Sequence, residues 1–313
     1  MQNIINRQTV ADWREVATDN IVARRIAAAR YKLGDLGHHG GVGLRALYIS
    51  GPPGIGKTHS IVEQERVWRA QGLEPLRFRP ATARELLDYF AEARGSRPLI
   101  MEEADIIFRS KPMFELLKQA TDPVTPDIIT RLVKVDGKKI AVKIGLNVPI
   151  VVTTNLDLMG EEGWDKNLLA DRDALFNRSR PVAIPNDPLA LWEWSIYLAL
   201  CSHLTRDVTV RNPTGGKPLM QANSLSVQAQ AMDWFTANID RLAVISPRTL
   251  KQAAQFMGRA NRGDMPPAVL AEELAGLLGP KREKQFDIPQ NADWSMLLKA
   301  MPKHSSEPQR IAA

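Results

Sequence analysis

The sequence predicts an α/β fold, a parallel sheet followed by a helical C-terminal portion, and three observations carry that prediction. Short apolar runs at 47–49, 99–101, 148–152 and 182–184, with a further short strand at 75–79, alternate with helix-like segments through the first 185 residues. A glycine loop, Gly51-Pro52-Pro53-Gly54-Ile55-Gly56-Lys57-Thr58, joins the first run to a helix-like 60–70 segment. From Asp187 onward, apolar stripes at helical spacing replace the short runs.

The loop matches G-x-x-x-x-G-K-[ST], a pattern whose glycines let backbone N–H groups curl around a phosphate while the following helix adds its positive N-terminal end. Average residue frequencies put a chance match in a chain this long at about one in a hundred. The strand before it and the helix after it are the context the pattern requires. Lys57 is then expected against the β- and γ-phosphates of a nucleotide, and the Thr58 hydroxyl on Mg²⁺.

Length and composition bound the alternatives. With 313 residues, one large core and a smaller one are expected. A single cysteine, Cys201, excludes an intramolecular disulfide framework, and its place in Leu198–Cys201 reads as a buried structural thiol. No run is apolar for long enough to span a bilayer, and residues 1–10 lack the form of a signal peptide, so a cytoplasmic protein with no membrane partner is expected. The net charge of +6 hints at an anionic partner, so the position of the charge matters.

Along the chain, residues 1–20 are largely polar around an isolated Trp13. Ile21–Leu33 reads as an amphipathic helix with Arg24, Arg25 and Arg30 on its solvated face. Gly34, Gly37, Gly40, Gly41 and Gly43 read as a flexible approach to the first strand, with His38 and His39 as loop residues. The 99–101 run ends in Glu102-Glu103-Ala104-Asp105, at the sheet edge that bears the glycine loop. Hydrolysis of a nucleoside triphosphate needs one carboxylate near the metal and another beside a water; Glu102 is assigned the first role and Glu103 the second. The 148–152 strand ends in Thr153-Thr154-Asn155, where Asn155 can orient the attacking water.

Between 120 and 148 the periodicity turns from helical to alternating. Residues 129–135 and 140–144 flank Asp136-Gly137-Lys138-Lys139, which predicts a hairpin. A four-residue turn, pairing Val135 with Ile140, is expected because a two-residue turn would set Lys134 against Lys139. Arg131, Lys134, Lys138, Lys139 and Lys143 stand there against one acid, Asp136. Such a projection suits a DNA backbone, or is a hairpin kept soluble by its lysines. Beyond Asp187-Pro188, a helix cap and first turn, the chain reads as entirely helical. Arg248 opens the helix after Ser246-Pro247, a dipole mismatch that a nearby polyphosphate would resolve.

The series as a whole resembles the AAA+ ATPases over residues 20–265. Gly51–Thr58 looks like Walker A, Leu99–Glu103 like Walker B, Asn155 like sensor 1, Ser179-Arg180 like the arginine finger and Pro247-Arg248 like sensor 2. The resemblance implies a P-loop NTPase sheet of order 5-1-4-3-2 with a small helical lid, and a homo-oligomeric ring or filament with ATP between subunits. Arg180 would act on a neighbour's γ-phosphate and Arg248 on its own nucleotide; Arg178 is the other candidate finger. The implied division is an N-terminal helix and glycine-rich approach at 1–44, the nucleotide-binding α/β domain at 45–185, the lid at 186–279 and a tail at 280–313. Glu102 stands where the family has aspartate. The hairpin before Asn155 resembles the insertion of DNA-acting members, so an ATPase that remodels or loads on DNA is expected. A protein-remodelling chaperone and a slow assembly switch are the other readings.

Overall fold

The computed structural model describes residues 7–38, 45–93, 97–122, 124, 127–135, 138–160, 164–210, 219–282, 288 and 292–301. In chain order these form α1 (Val10–Asp19), α2 (Ile21–His38), β1 (Ala46–Ser50), α3 (Lys57–Ala70), β2 (Leu76–Phe78), α4 (Ala83–Glu92) and β3 (Leu99–Met101). A 3-10 turn (Ala104–Arg109) leads to α5 (Lys111–Ala120), β4 (Asp127–Val135), β5 (Lys138–Gly145), β6 (Ile150–Thr154), α6 (Lys166–Phe176) and β7 (Ser179–Ala183). The rest is α7 (Pro188–Cys201), β8 (Asp207–Val210), β9 (Leu219–Ala222), α8 (Leu225–Ala237), α9 (Pro247–Asn261), α10 (Pro267–Ala275) and α11 (Trp294–Ala300). The chain divides into two compact units, one of Arg25–Pro52 with Gly56–Pro185, the other of Met1–Arg24, Pro53–Ile55 and Asn186–Ala313.

The first unit is built on a five-stranded parallel sheet of order β2-β3-β6-β1-β7. Counting only these strands along the chain and starting from β7, the order is 5-1-4-3-2, the P-loop NTPase α/β fold. Every residue of β1, β3 and β6 is buried, as a parallel sheet covered on both faces requires. Tyr48 of β1 meets Phe108 edge-on at 6.3 Å, and Phe108 packs on Trp164 at 5.1 Å, so aromatic rings fill one face of the sheet.

Two expectations about this unit are corrected. Helix α2 does not stop before Gly34; it continues through Gly34 and Gly37 to His38. The stripe that begins at Val22 and Ile26 goes on through Leu33 and Leu36, both buried, and that burial outweighs a helix penalty of about 1 kcal/mol per glycine. Residues 39–44, with the remaining glycines and His39, lie outside the described residues.

The hairpin is the second correction. Its register pairs Val135 with Lys138, Lys134 with Lys139 and Val133 with Ile140, so two residues, not four, separate the strands. Asp-Gly is a preferred pair for a two-residue connection because its twist matches that of the strands, whereas a like-charge pair costs only about 0.2–1 kcal/mol. The strands also run further than expected, to Asp127 and Gly145, so the hairpin carries its five basic residues against two acids. Asp136 and Gly137 themselves lie outside the described residues.

The second unit is mostly helical. Asp187 caps α7 by accepting from the Ala190 N–H at 2.7 Å, with Pro188 in the first turn, and Ser246 caps α9 through the Thr249 N–H at 3.2 Å. It is not entirely helical, however: β8 and β9 form an antiparallel pair, closed by the Asn223 N–H donating to Arg206 O at 2.8 Å. Val208, Thr209 and Val210 supply the β-branched residues that favour a strand. Trp13 was legible only as an isolated aromatic; it is 1% exposed and packs edge-on between Trp192 at 5.9 Å and Trp294 at 5.8 Å. Helix α1 is set for that contact by a capping box between Thr9 and Asp12. Cys201 closes α7 half-buried, and desolvation pushes its thiol up to about 11, away from reactivity.

Candidate nucleotide site

The sequence of β1, glycine loop and α3 places the loop at the carboxyl end of the sheet. Gly56 takes the N-cap position of α3 at φ +107, and no side chain caps the helix. A glycine at the N-cap brings no side chain of its own to the helix start, and helix starts are where anions are commonly bound. Gly54, at φ +78, has a second reason to be glycine. A Cβ there would come within 2.9 Å of both Arg248 Cβ and Ser246 Oγ, and Gly54, Ser246 and Arg248 all belong to the second unit.

Within the first unit the expected residues meet in pairs. Lys57 Nζ donates to Gly51 O at 2.5 Å, Pro52 O at 2.9 Å and Asn155 Oδ1 at 2.9 Å. Thr58 Oγ1 donates to Glu102 Oε1 at 3.1 Å. Parallel register explains both contacts: Ser50 pairs with Thr154, and the Glu102 N–H extends the β2–β3 ladder to Phe78 O at 2.9 Å, so the ends of β1, β3 and β6 come level.

A magnesium ion fits this donor set. A Thr58 hydroxyl that donates its O–H to Glu102 keeps its oxygen lone pairs as acceptors, and hard oxygen donors are what Mg²⁺ takes. No group of three His, Cys, Asp or Glu side chains capable of holding a metal occurs among the described residues.

Four residues that shape this site were not singled out in the sequence. Arg77 forks onto Glu102, with Nε to Oε2 and Nη2 to Oε1 both 2.7 Å, and its Nη1 reaches Glu65 Oε2 at 3.2 Å. The Arg77 hydrogen bonds hold the Glu102 carboxyl below its ordinary value, and Glu102 in turn raises Arg77. Arg79 pairs with Glu103 at 3.0 Å. Asp105 Oδ1 accepts from Thr154 Oγ1 at 2.5 Å and from the Asn155 N–H at 2.9 Å, fixing the backbone from which Asn155 projects. The signal for the arginines was the alternation Arg77-Phe78-Arg79, which directs both arginines to one side of the chain at the end of a strand next to β3.

Glu103 itself sits at φ 47, ψ 43, a left-handed conformation that costs a non-glycine residue about 1–2 kcal/mol. Such outliers cluster at functional sites. Its backbone is tied to β6 by the Glu103 N–H donating to Thr153 Oγ1 at 3.3 Å.

The two candidate finger residues both have partners in their own chain. Arg180 is ion-paired with Asp35 of α2, and Arg178 Nη1 pairs with Asp122 at 3.2 Å while donating to Lys118 O at 3.3 Å. Strand β7 begins at Ser179, three residues earlier than the 182–184 run, so Arg180 lies inside the edge strand instead of ahead of it. Arg248 is exposed in the first turn of α9. Of the basic hairpin residues, Arg131, Lys134, Lys138 and Lys139 are placed by register, and Lys143 is exposed.

No protein-family model matches the chain. It is 24% identical over 225 residues to an uncharacterized 36.7 kDa protein from the nrdC-mobD intergenic region of Enterobacteria phage T4, covering 68% of this chain and 64% of that protein. Among solved structures, it is similar to domain III of the replication initiation protein DnaA from Thermotoga maritima, with TM-score 0.46, 11% identity, 81% of this chain and 92% of that one. It is also similar to the Thermotoga maritima RuvB Holliday junction branch migration motor, with TM-score 0.39, 12% identity, 88% of this chain and 74% of that one. Among the described residues no helix is long and apolar enough to cross a membrane.

Proposed function

We propose that this protein is an Mg²⁺-dependent ATPase of the AAA+ type that works as a homo-oligomer on DNA. The observation that carries the reading is the double contact at the start of α3, Lys57 with Asn155 and Thr58 with Glu102. In this reading the loop N–H groups and Lys57 bind the β- and γ-phosphates of ATP, exchanging the loop carbonyls that Lys57 now holds for phosphate oxygens. Bound Mg²⁺ would neutralise phosphate charge, with Thr58 and Glu102 holding it. Glu103 accepts the proton of the attacking water and Asn155 orients that water. Arg180 reaches a neighbour's γ-phosphate by exchanging Asp35 for it, and Arg248 acts from residues 186–279 on its own nucleotide.

DNA is proposed from the hairpin, whose five basic residues stand on a two-stranded projection separate from the main sheet. Phosphate contacts make binding fall with salt in proportion to the charges engaged. Lys138→Ala with Lys139→Ala is therefore expected to lower the slope of log K against log salt by about 2. The experiment measures DNA affinity at several salt concentrations, and ATPase rate with single-stranded DNA, double-stranded DNA and no DNA. An unchanged slope removes the hairpin from the interface. Stimulation by a protein and by no nucleic acid replaces the DNA reading with the chaperone one.

A further inference from the structure

Glutamate at position 102 has one more methylene, and one more free torsion, than the aspartate the resemblance puts there. A metal-site carboxylate has to be held still, and something other than its own stem must do it. Arg77 meets both oxygens of Glu102 in a two-point fork at 2.7 Å. The other end of the same guanidinium is fixed at 3.2 Å to Glu65, whose side chain is 5% exposed. Glu65 and Thr58 both belong to α3, so Glu102 is tied back to the helix whose first turn would hold the metal.

Charges of opposite sign alternate along the contact: Arg77 lies between the carboxylates of Glu102 and Glu65, and Glu65 also faces Arg69 Nη2 at 3.9 Å. The Thr58 hydroxyl still donates to Glu102 Oε1 at 3.1 Å, so the fork leaves that contact intact.

We propose that Arg77 is a positioning residue for the divalent cation: anchored on Glu65, it holds the longer carboxylate of Glu102 against Thr58 and so makes glutamate workable at the metal position. The proposal rests on the ATP-site reading above. A lysine at 77 keeps the charge but cannot fork, whereas a glutamine at 65 keeps the shape but removes the counter-charge.

The test is a Mn²⁺ titration of the chain loaded with one equivalent of a non-hydrolysable ATP analogue, followed through the electron paramagnetic resonance of the free ion. Arg77→Ala and Arg77→Lys are each expected to weaken Mn²⁺ by about 10-fold, with Glu65→Gln weakening it in the same direction. Metal-free binding of a fluorescent ATP analogue is expected to be unchanged in all three, which a merely structural defect would not allow. If Arg77→Ala destabilises the fold, Arg77→Lys and Glu65→Gln carry the test. Mn²⁺ binding by Arg77→Lys as tight as in the unaltered chain, or tighter binding by Arg77→Ala, overturns the proposal and makes Arg77 a competitor of the cation. A wild-type chain that binds no nucleotide overturns the ATP-site reading itself.

Discussion

Glu103→Gln is expected to lower ATP turnover by roughly 10²–10⁴-fold, the usual contribution of a general base, while nucleotide binding is retained. The amide has the shape of the carboxylate but cannot accept the proton of the attacking water. Both residues bear the same backbone cost at φ 47, so the substitution does not disturb the turn that follows β3. Its pairing with Arg79 is half-exposed, with the two side chains 53% and 63% accessible, so losing that pair costs little stability. The steady-state rate and the affinity for a fluorescent ATP analogue, measured on the same preparation, check the prediction. Full turnover by the variant would move the base to another residue.

Trp13→Ala is expected to destabilise the protein by about 3–5 kcal/mol, the range for removing a large buried aromatic side chain. Trp13 is enclosed by Trp192 and Trp294 on edge-on contacts, and nothing smaller fills that space. Its indole nitrogen is buried with no hydrogen-bond partner among the described residues, so Trp13→Phe keeps the aromatic contacts and is expected to cost much less. Denaturant unfolding of both variants against the parent chain reads the difference. A loss below about 1 kcal/mol for the alanine would mean that α1 contributes little to its unit.

These two residues mark how far the sequence could be read. Glu103 was legible as a candidate from local order: an apolar strand, then two carboxylates, in a chain that already carries a phosphate loop. Trp13 was not, because its partners lie far along the chain, at positions 192 and 294. The same distinction separates Thr58 and Glu102, placed by motif, from Arg77, whose two carboxylate partners come from a neighbouring strand and from α3. In the hairpin, charge repulsion between Lys134 and Lys139 was given more weight than the two-residue turn preference of an Asp-Gly pair, and the register sets those two lysines opposite each other. The β8–β9 pair was missed because each strand has only four residues, too short for alternation to stand out within a helical region.

The account depends on Gly51–Thr58 being a nucleotide site in which Lys57 meets the phosphates. Titration of a fluorescent ATP analogue into the protein with Mg²⁺ present, alongside Lys57→Ala, tests this most directly. The account predicts saturable binding to the unaltered chain and a loss of about 10- to 100-fold in the variant, as expected for removing charge-assisted hydrogen bonds. Equal affinity in the two proteins, or no binding to either, would contradict it.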